Sequence, residues 1–430
     1  MTITLLGDSL LDIGNLTNLL SPFGITPFPD LPFADPPYSD GKPSNDLVLG
    51  EAIVAQLGIL PESLVLGARL PGSASTLNPL IENISYAIAG ATSGLFGSVG
   101  NQSQTLPFGV QSQIALFAQN LTAAGIPEDP TERPDILLSI GSNDVFDVLV
   151  DINSFVAVLA TPDQEDDRAL KITLASQIVG NIETAVSSLE GLADDIVIIG
   201  PSRLGDSPFS IQTDAAVDAR LPGDFAGQTR AFLTGVAAEI NTRLFDLYND
   251  PSDGHDLFDD ITQVVGDSAA RALNDLEDFS TRAASFGAAL FAGTGFSPMF
   301  DNLTDELLGS DLFGQANDFL VGVLEGAQEY LENQQIGCDL VENVMVIDGI
   351  DVFEAGLQGW QQSVLAAGLT PITNISYLEY LTQATGLPDN LDSRSFAFAD
   401  RSHPASNLNQ FIAAQIAPQI QAEFPDFGLS

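Results

Sequence analysis

The chain has a single cysteine, Cys338, which excludes an internal disulfide and a cysteine-based metal cluster and leaves its redox compartment open. Lysine is nearly as scarce, at Lys42 and Lys171 only, and 13 basic residues stand against 58 acidic ones for a net charge of −45. A surface this negative repels phosphate backbones, so no nucleic-acid partner is expected, and simple electrostatic docking on anionic lipid is disfavoured. The acidity reads first as a solvated shell suited to salty surroundings. Nowhere do roughly eighteen strongly apolar residues run together, so no transmembrane segment is expected. Met1 leads straight into Thr2-Ile3-Thr4-Leu5-Leu6, with no basic region or apolar stretch of signal-peptide length. With the scarcity of lysine, this favours a secreted, extracellular bacterial protein without a cleaved leader over a cytoplasmic one from a salt-accumulating cell. Fixed-period repeats are missing too, including any Gly-Gly-x-Gly-x-Asp series that would bind calcium.

What is present is ample core material, with 45% hydrophobic and 8% aromatic residues in 430. Short β-branched runs alternate with longer helix-like stretches, the pattern of a parallel sheet covered by helices. Candidate strands are Thr2–Leu6, Ile136–Ile140, Ile196–Ile199 and Val344–Ile347, with Ser85–Ala89 a weaker fifth. Helix-like segments include Asn45–Leu57, Val110–Ala123, Ala169–Leu192, Phe225–Tyr248 and Ser406–Ile420. The expectation is one domain over residues 1–430, a three-layer α/β/α sandwich around a central, mostly parallel sheet. Residues 21–44 hold seven prolines and form a structured loop, and Leu95–Pro107 is a second irregular stretch. Residues 250–340 differ in texture, dense in Asp and Phe and helical in pattern. Within them Ala283–Phe300 carries no charge, which suits either a hairpin packed on the main domain or a lid offering apolar surface to a substrate.

Histidine is the natural general base near neutral pH, and there are two, His255 and His403. His403 lies in Asp400-Arg401-Ser402-His403-Pro404, where the aspartate three residues earlier can fold back toward Nδ1, and Pro404 can open the following helix. His255, in Asp253-Gly254-His255-Asp256, sits in the atypical segment and is the weaker candidate. An activatable hydroxyl must accompany the base. Gly-Asp-Ser occurs three times, at 7–9, 205–207 and 266–268, and only Gly7-Asp8-Ser9 follows a confident strand and opens onto a helix, which lifts Ser9 to the carboxyl edge of a sheet. By themselves, Asn143 reads as a helix cap and Gly90 as a turn after a strand. Asp8, Asp12, Asp144 and Asp147 are a competing set, a carboxylate cluster for a hard cation.

Gly7-Asp8-Ser9-Leu10-Leu11-Asp12-Ile13-Gly14-Asn15 resembles the first block of the GDSL, or SGNH, family of esterases and lipases. Tyr86-Ala87-Ile88-Ala89-Gly90-Ala91-Thr92 resembles its glycine block, Ser139-Ile140-Gly141-Ser142-Asn143-Asp144 its Gly-x-Asn-Asp block, and Asp400-Arg401-Ser402-His403-Pro404 its terminal Asp-x-x-His-Pro block. Pro37-Tyr38-Ser39-Asp40-Gly41-Lys42-Pro43-Ser44-Asn45 is similar to a stretch of the branch holding plant-type lipases and bacterial hemolysin-like phospholipases. The resemblance spans roughly residues 2–249 and 342–423. It departs from the family at Ala89-Gly90, where Gly-Gly is common, and in residues 250–340, which have no counterpart in the compact family core.

The resemblance implies a flavodoxin-like fold and an ester hydrolase working through an acyl-enzyme, with no cofactor. It implies Ser9 as nucleophile, His403 as base, Asp400 as its orienting partner, and the Ser9 N–H, the Gly90 N–H and the Asn143 amide as oxyanion donors. The expected substrate is a small-molecule or lipid ester, acyl transfer or phospholipid hydrolysis at the same residues being an alternative. From another class comes a non-catalytic protein of this fold that binds lipid or glycan.

Overall fold

The computed structural model describes residues 2–23, 26–29, 37–68, 77–95, 97–98, 105–106, 108–127, 129–147, 164–219, 226–249, 343–382 and 391–428. Six strands, β1 (Ile3–Gly7), β2 (Leu64–Leu66), β3 (Asn83–Ser85), β6 (Asp135–Ser139), β7 (Ile196–Ile199) and β8 (Val344–Ile347), form one sheet in the order β2-β3-β1-β6-β7-β8. Every pairing in it is parallel. The only antiparallel strand pair among the described residues is a separate two-residue ribbon, β4 (Gly97–Ser98) with β5 (Thr105–Leu106), inside the stretch expected to be irregular.

Apolar alternation along each strand builds two cores, as a sheet buried on both faces requires. Ile3, Leu5, Leu137, Val197, Ile199 and Ile347 face one way, with Ile53, Trp360 and Ile412 packed against them. Leu6, Ile136, Leu138, Ile196 and Ile198 face the other way, with Phe117, Ile182 and Phe232. The first layer comprises helices Leu49–Gln56, Gly349–Ala366 and Ser406–Glu423; the second comprises Val110–Ala124, Gln164–Leu189 and Gln228–Tyr248. The architecture is the expected three-layer sandwich with an open sheet. Helix Gly349–Ala366 escapes a reading of the sequence because its glycines look like breakers. Gly356 is instead a contact point: a Cβ there would lie 2.7–2.9 Å from Ile412 of the neighbouring helix.

Three local expectations shift. The run at 85–89 is strand only to Ser85, although Tyr86 and Ile88 still donate their N–H groups to Leu5 O and Gly7 O of β1. Helix Ser406–Glu423 begins two residues after Pro404, which bridges back to Phe398. After Gly7-Asp8-Ser9 the chain first makes a turn, and its helix starts only at Asn15. Residues 250–340, with His255 and Cys338, lie outside the described residues. At the root of that segment, the Asn249 side chain donates to Val346 O and accepts from Val346 N–H, both at 3.0 Å, so it lies along β8 as another strand would.

Gly7 ends β1 at φ 136°, and a Cβ built there would sit 2.0 Å from Ser139 O on β6. A Gly7→Ala variant is expected to lose at least about 3 kcal/mol of stability, because backbone must move to admit the methyl group. A urea denaturation midpoint within experimental error of wild type would contradict this.

Candidate active site

In a parallel sheet whose strand order reverses, loops on the two sides of the reversal diverge and leave a crevice at the carboxyl ends of the strands. Here the reversal is at β1: the chain leaves it toward β2 and β3, then crosses to β6. Ser9 follows β1, Gly90 follows β3 and Asn143 follows β6, so all three stand at that edge.

The turn carrying Ser9 is specified by its own residues. Asp8 N–H donates to Ser139 O, Leu11 N–H to Asp8 O, and Leu10 N–H to the Asp8 carboxylate at 3.1 Å, leaving half-buried Ser9 at the bend. Below it, Gln113 accepts from Gly7 N–H at 2.7 Å and donates to Gly7 O at 2.8 Å, which fixes the end of the strand in both directions. Asp12 is fully buried and accepts four backbone N–H groups, from Gly14, Asn15, Leu16 and Ala89. The Ala89 bond ties the serine loop to the glycine loop. Asn15, also fully buried, donates to Ser85 O and Ala87 O and accepts from Ala68 N–H.

A second set of bonds ties the glycine loop to the helix Ser142–Asp147. Asn143 donates from Nδ2 to Ala91 O at 2.8 Å, and Asp144 accepts from both N–H and Oγ of Ser93. Gly90, at φ 87°, is thereby held between Asp12 on one side and Asn143 on the other. Among the described residues the N–H groups of Ser9 and Gly90 have no acceptor, and Asn143 Nδ2 keeps a second hydrogen to donate.

His403 sits at the tip of a tight hairpin. Ala399 N–H donates to His403 O and Ala405 N–H to Ala397 O, while Tyr377 and Leu378 donate to Phe398 O and Ala399 O from outside. The Asp400 carboxylate folds back as the sequence suggests. Its Oδ1 accepts the N–H groups of Ser402 and His403, and its Oδ2 lies 2.7 Å from His403 Nδ1 and 2.8 Å from the Tyr38 hydroxyl. The Phe28 ring meets His403 edge-on, with centroids 5.7 Å apart. Ser9 Oγ makes no hydrogen bond to His403 or to any other described residue.

Electrostatics separates the carboxylates by role. Burial pushes Asp400 upward, but the facing His403 and the donors around it hold it below the usual aspartate range, so it stays ionised. Burial lowers His403, yet the Asp400 charge and hydrogen bond, with Asp8 and Asp12 beyond, carry it above 6.5. Burial raises Asp8 to about 7 and Asp12 to about 6 despite their backbone donors. Asp12 and Asp144 spend their oxygens on N–H and hydroxyl donors. The one group of three potential ligands found among the described residues is Asp135, Asp194 and Asp195, at the opposite, amino end of the strands.

A hydroxyl at a strand end, an imidazole with an ionised carboxylate behind it, and N–H donors without an acceptor among the described residues are the groups that can move a proton from an alcohol and hold a developing oxyanion. Sequence reasoning gave no role to Tyr38, Phe28 or Gln113. Tyr38 lies in the stretch Pro37–Asn45 that carries part of the resemblance, whereas Phe28 and Gln113 carry no local signal. No model of a known protein family matches the chain, and no curated protein does. Among the described residues no helix is long and apolar enough to cross a membrane.

Proposed function

We propose that the chain is a serine-dependent hydrolase of carboxylic esters. Ser9 Oγ attacks the carbonyl carbon while His403 Nε2 accepts its proton. The oxyanion forms against the N–H groups of Ser9 and Gly90 and the amide of Asn143. Collapse expels the alcohol, which takes the proton back from His403. Water, deprotonated by the same imidazole, then attacks the acyl-enzyme and frees the acid and Ser9.

The observation that carries this reading is the cross-loop bonding through Asp12, Ala89, Ala91 and Asn143, which holds Gly90 between the serine turn and the asparagine helix and leaves two N–H groups without acceptors among the described residues. Donors fixed before charge develops need no reorganisation during reaction, the usual source of the largest catalytic term. An apolar ester is the favoured substrate class. Phe146, one helical turn beyond Asn143, meets Phe209 in an edge-to-face pair at 5.5 Å, and Phe209 N–H donates to Arg401 O, two residues before the histidine.

A fluorophosphonate probe should label the protein at Ser9, mapped by peptide mass spectrometry; labelling elsewhere, or none, would overturn the proposal. Asn143→Ala should lower kcat by about 10²–10³-fold, the scale for one lost oxyanion donor. A change confined to KM would deny Asn143 that role.

A further inference from the structure

We infer that Tyr38 is a positioning residue of this site, its hydroxyl holding the Asp400 carboxylate in the orientation that fixes His403. The inference rests on the hydrolase reading and extends it to a fifth side chain, supplied by the proline-rich loop from the far side of the sequence.

Tyr38 is 7% exposed, and its hydroxyl donates to the same Asp400 oxygen that faces His403 Nδ1. Its ring packs against Phe28, centroids 5.3 Å apart, and Phe28 in turn meets the imidazole. Burial and the neighbouring carboxylate push the phenol far above its ordinary value, so it remains a donor throughout the working range. The residues that follow Tyr38 are tied down at several points. Asn45 accepts from Ser406 N–H at 2.8 Å and Leu47 N–H donates to Ser406 Oγ at 3.1 Å, so the segment just after Tyr38 is fastened to the start of the helix that follows the histidine hairpin. Thr17 Oγ1 donates to Gly41 O, and the Lys42 ammonium reaches both oxygens of Glu51 at 3.1 and 3.2 Å. Burial raises Glu51 even beside Lys42, so this ion pair serves placement more than net stability.

A Tyr satisfying itself on a buried carboxylate would be structural only. The two cases differ at the imidazole. By donating to Asp400 Oδ2, Tyr38 draws off charge that the carboxylate would otherwise direct at His403. Removing the hydroxyl makes Asp400 more basic, stabilises the imidazolium and raises the His403 pKa. Asp8 and Asp12 on the serine turn also act on His403, and among the described residues the Tyr38 hydroxyl bonds Asp400 and neither of them.

The chain has two histidines, so ¹⁵N-histidine NMR follows His403 directly once His255→Asn assigns the other. Wild type should titrate above 6.5, and Tyr38→Phe about half a pH unit higher, with the acid limb of kcat/KM moving alongside. Its kcat should fall about tenfold at unchanged KM, well short of the roughly 10⁴-fold cost of losing the orienting acid. Difluorotyrosine at position 38, a stronger donor, should shift the titration downward and serves if Tyr38→Phe does not fold. Identical His403 midpoints in the variants and wild type would overturn the inference while leaving Ser9 labelling and turnover intact. An inert, unlabelled wild type whose His403 still responds to position 38 would instead overturn the hydrolase reading.

Discussion

Ser9→Ala is expected to lower kcat for p-nitrophenyl ester hydrolysis by about 10⁴–10⁶-fold, the range seen when a catalytic serine is removed from an enzyme of this chemistry. It should do so with little change in stability. The hydroxyl makes no hydrogen bond to a described residue, and the turn is held by Asp8, Gln113 and Ser139 through groups the substitution leaves in place. A lost rate with an unchanged unfolding midpoint would therefore report chemistry. The remaining rate measures what the Gly90 and Asn143 donors and binding supply without a nucleophile, about 10³-fold over water in comparable sites. Near wild-type turnover would remove Ser9 from the mechanism.

Asp400→Asn is the second large effect, a fall in kcat of about 10⁴-fold at near-constant KM. The carboxylate receives four donors: Tyr38 Oη–H, His403 Nδ1–H and two backbone N–H groups. An amide offers one acceptor oxygen and one donating nitrogen to this all-donor surrounding. The nitrogen must either oppose two backbone N–H groups or face Nδ1, and in the second case it selects the imidazole tautomer with its proton on Nε2, where it cannot accept one from serine. The acid limb of the pH profile should fall with it, since the charge that raises His403 is gone. A variant keeping a tenth of wild-type activity would show that Asp400 does not set the tautomer.

Much of this was legible in the chain because it depends on local pattern. Gly7-Asp8-Ser9 after an apolar strand and Asp400 three residues before His403 are short-range features, and Oδ2 does lie 2.7 Å from Nδ1. The four strongest strand expectations agree with the sheet to within a residue, since runs buried on both faces are apolar throughout. What escaped depends on distant partners. β2 is three residues long and gains its identity from pairing with β3. Gln113 looks like any polar helical position, yet it closes on Gly7 from 106 residues away. Tyr38 reaches Asp400 across 362 residues, a separation no periodicity encodes. Asp12 and Asn15 stood in the first block, but only the fold shows that one aspartate joins the serine and glycine loops.

The Asn249 side chain, paired with Val346 in both directions, also bears on how this protein tolerates change. It fastens the end of helix Gln228–Tyr248 to β8, and the entropic cost of joining two such points grows only logarithmically with the number of residues between them. The register of β8 is set by its pairing with β7 from Val344 to Ile347, and the amide adds a clamp along that strand. A change in the number of residues between Asn249 and Val344 therefore costs the sheet little, and its edge strand keeps the same partner.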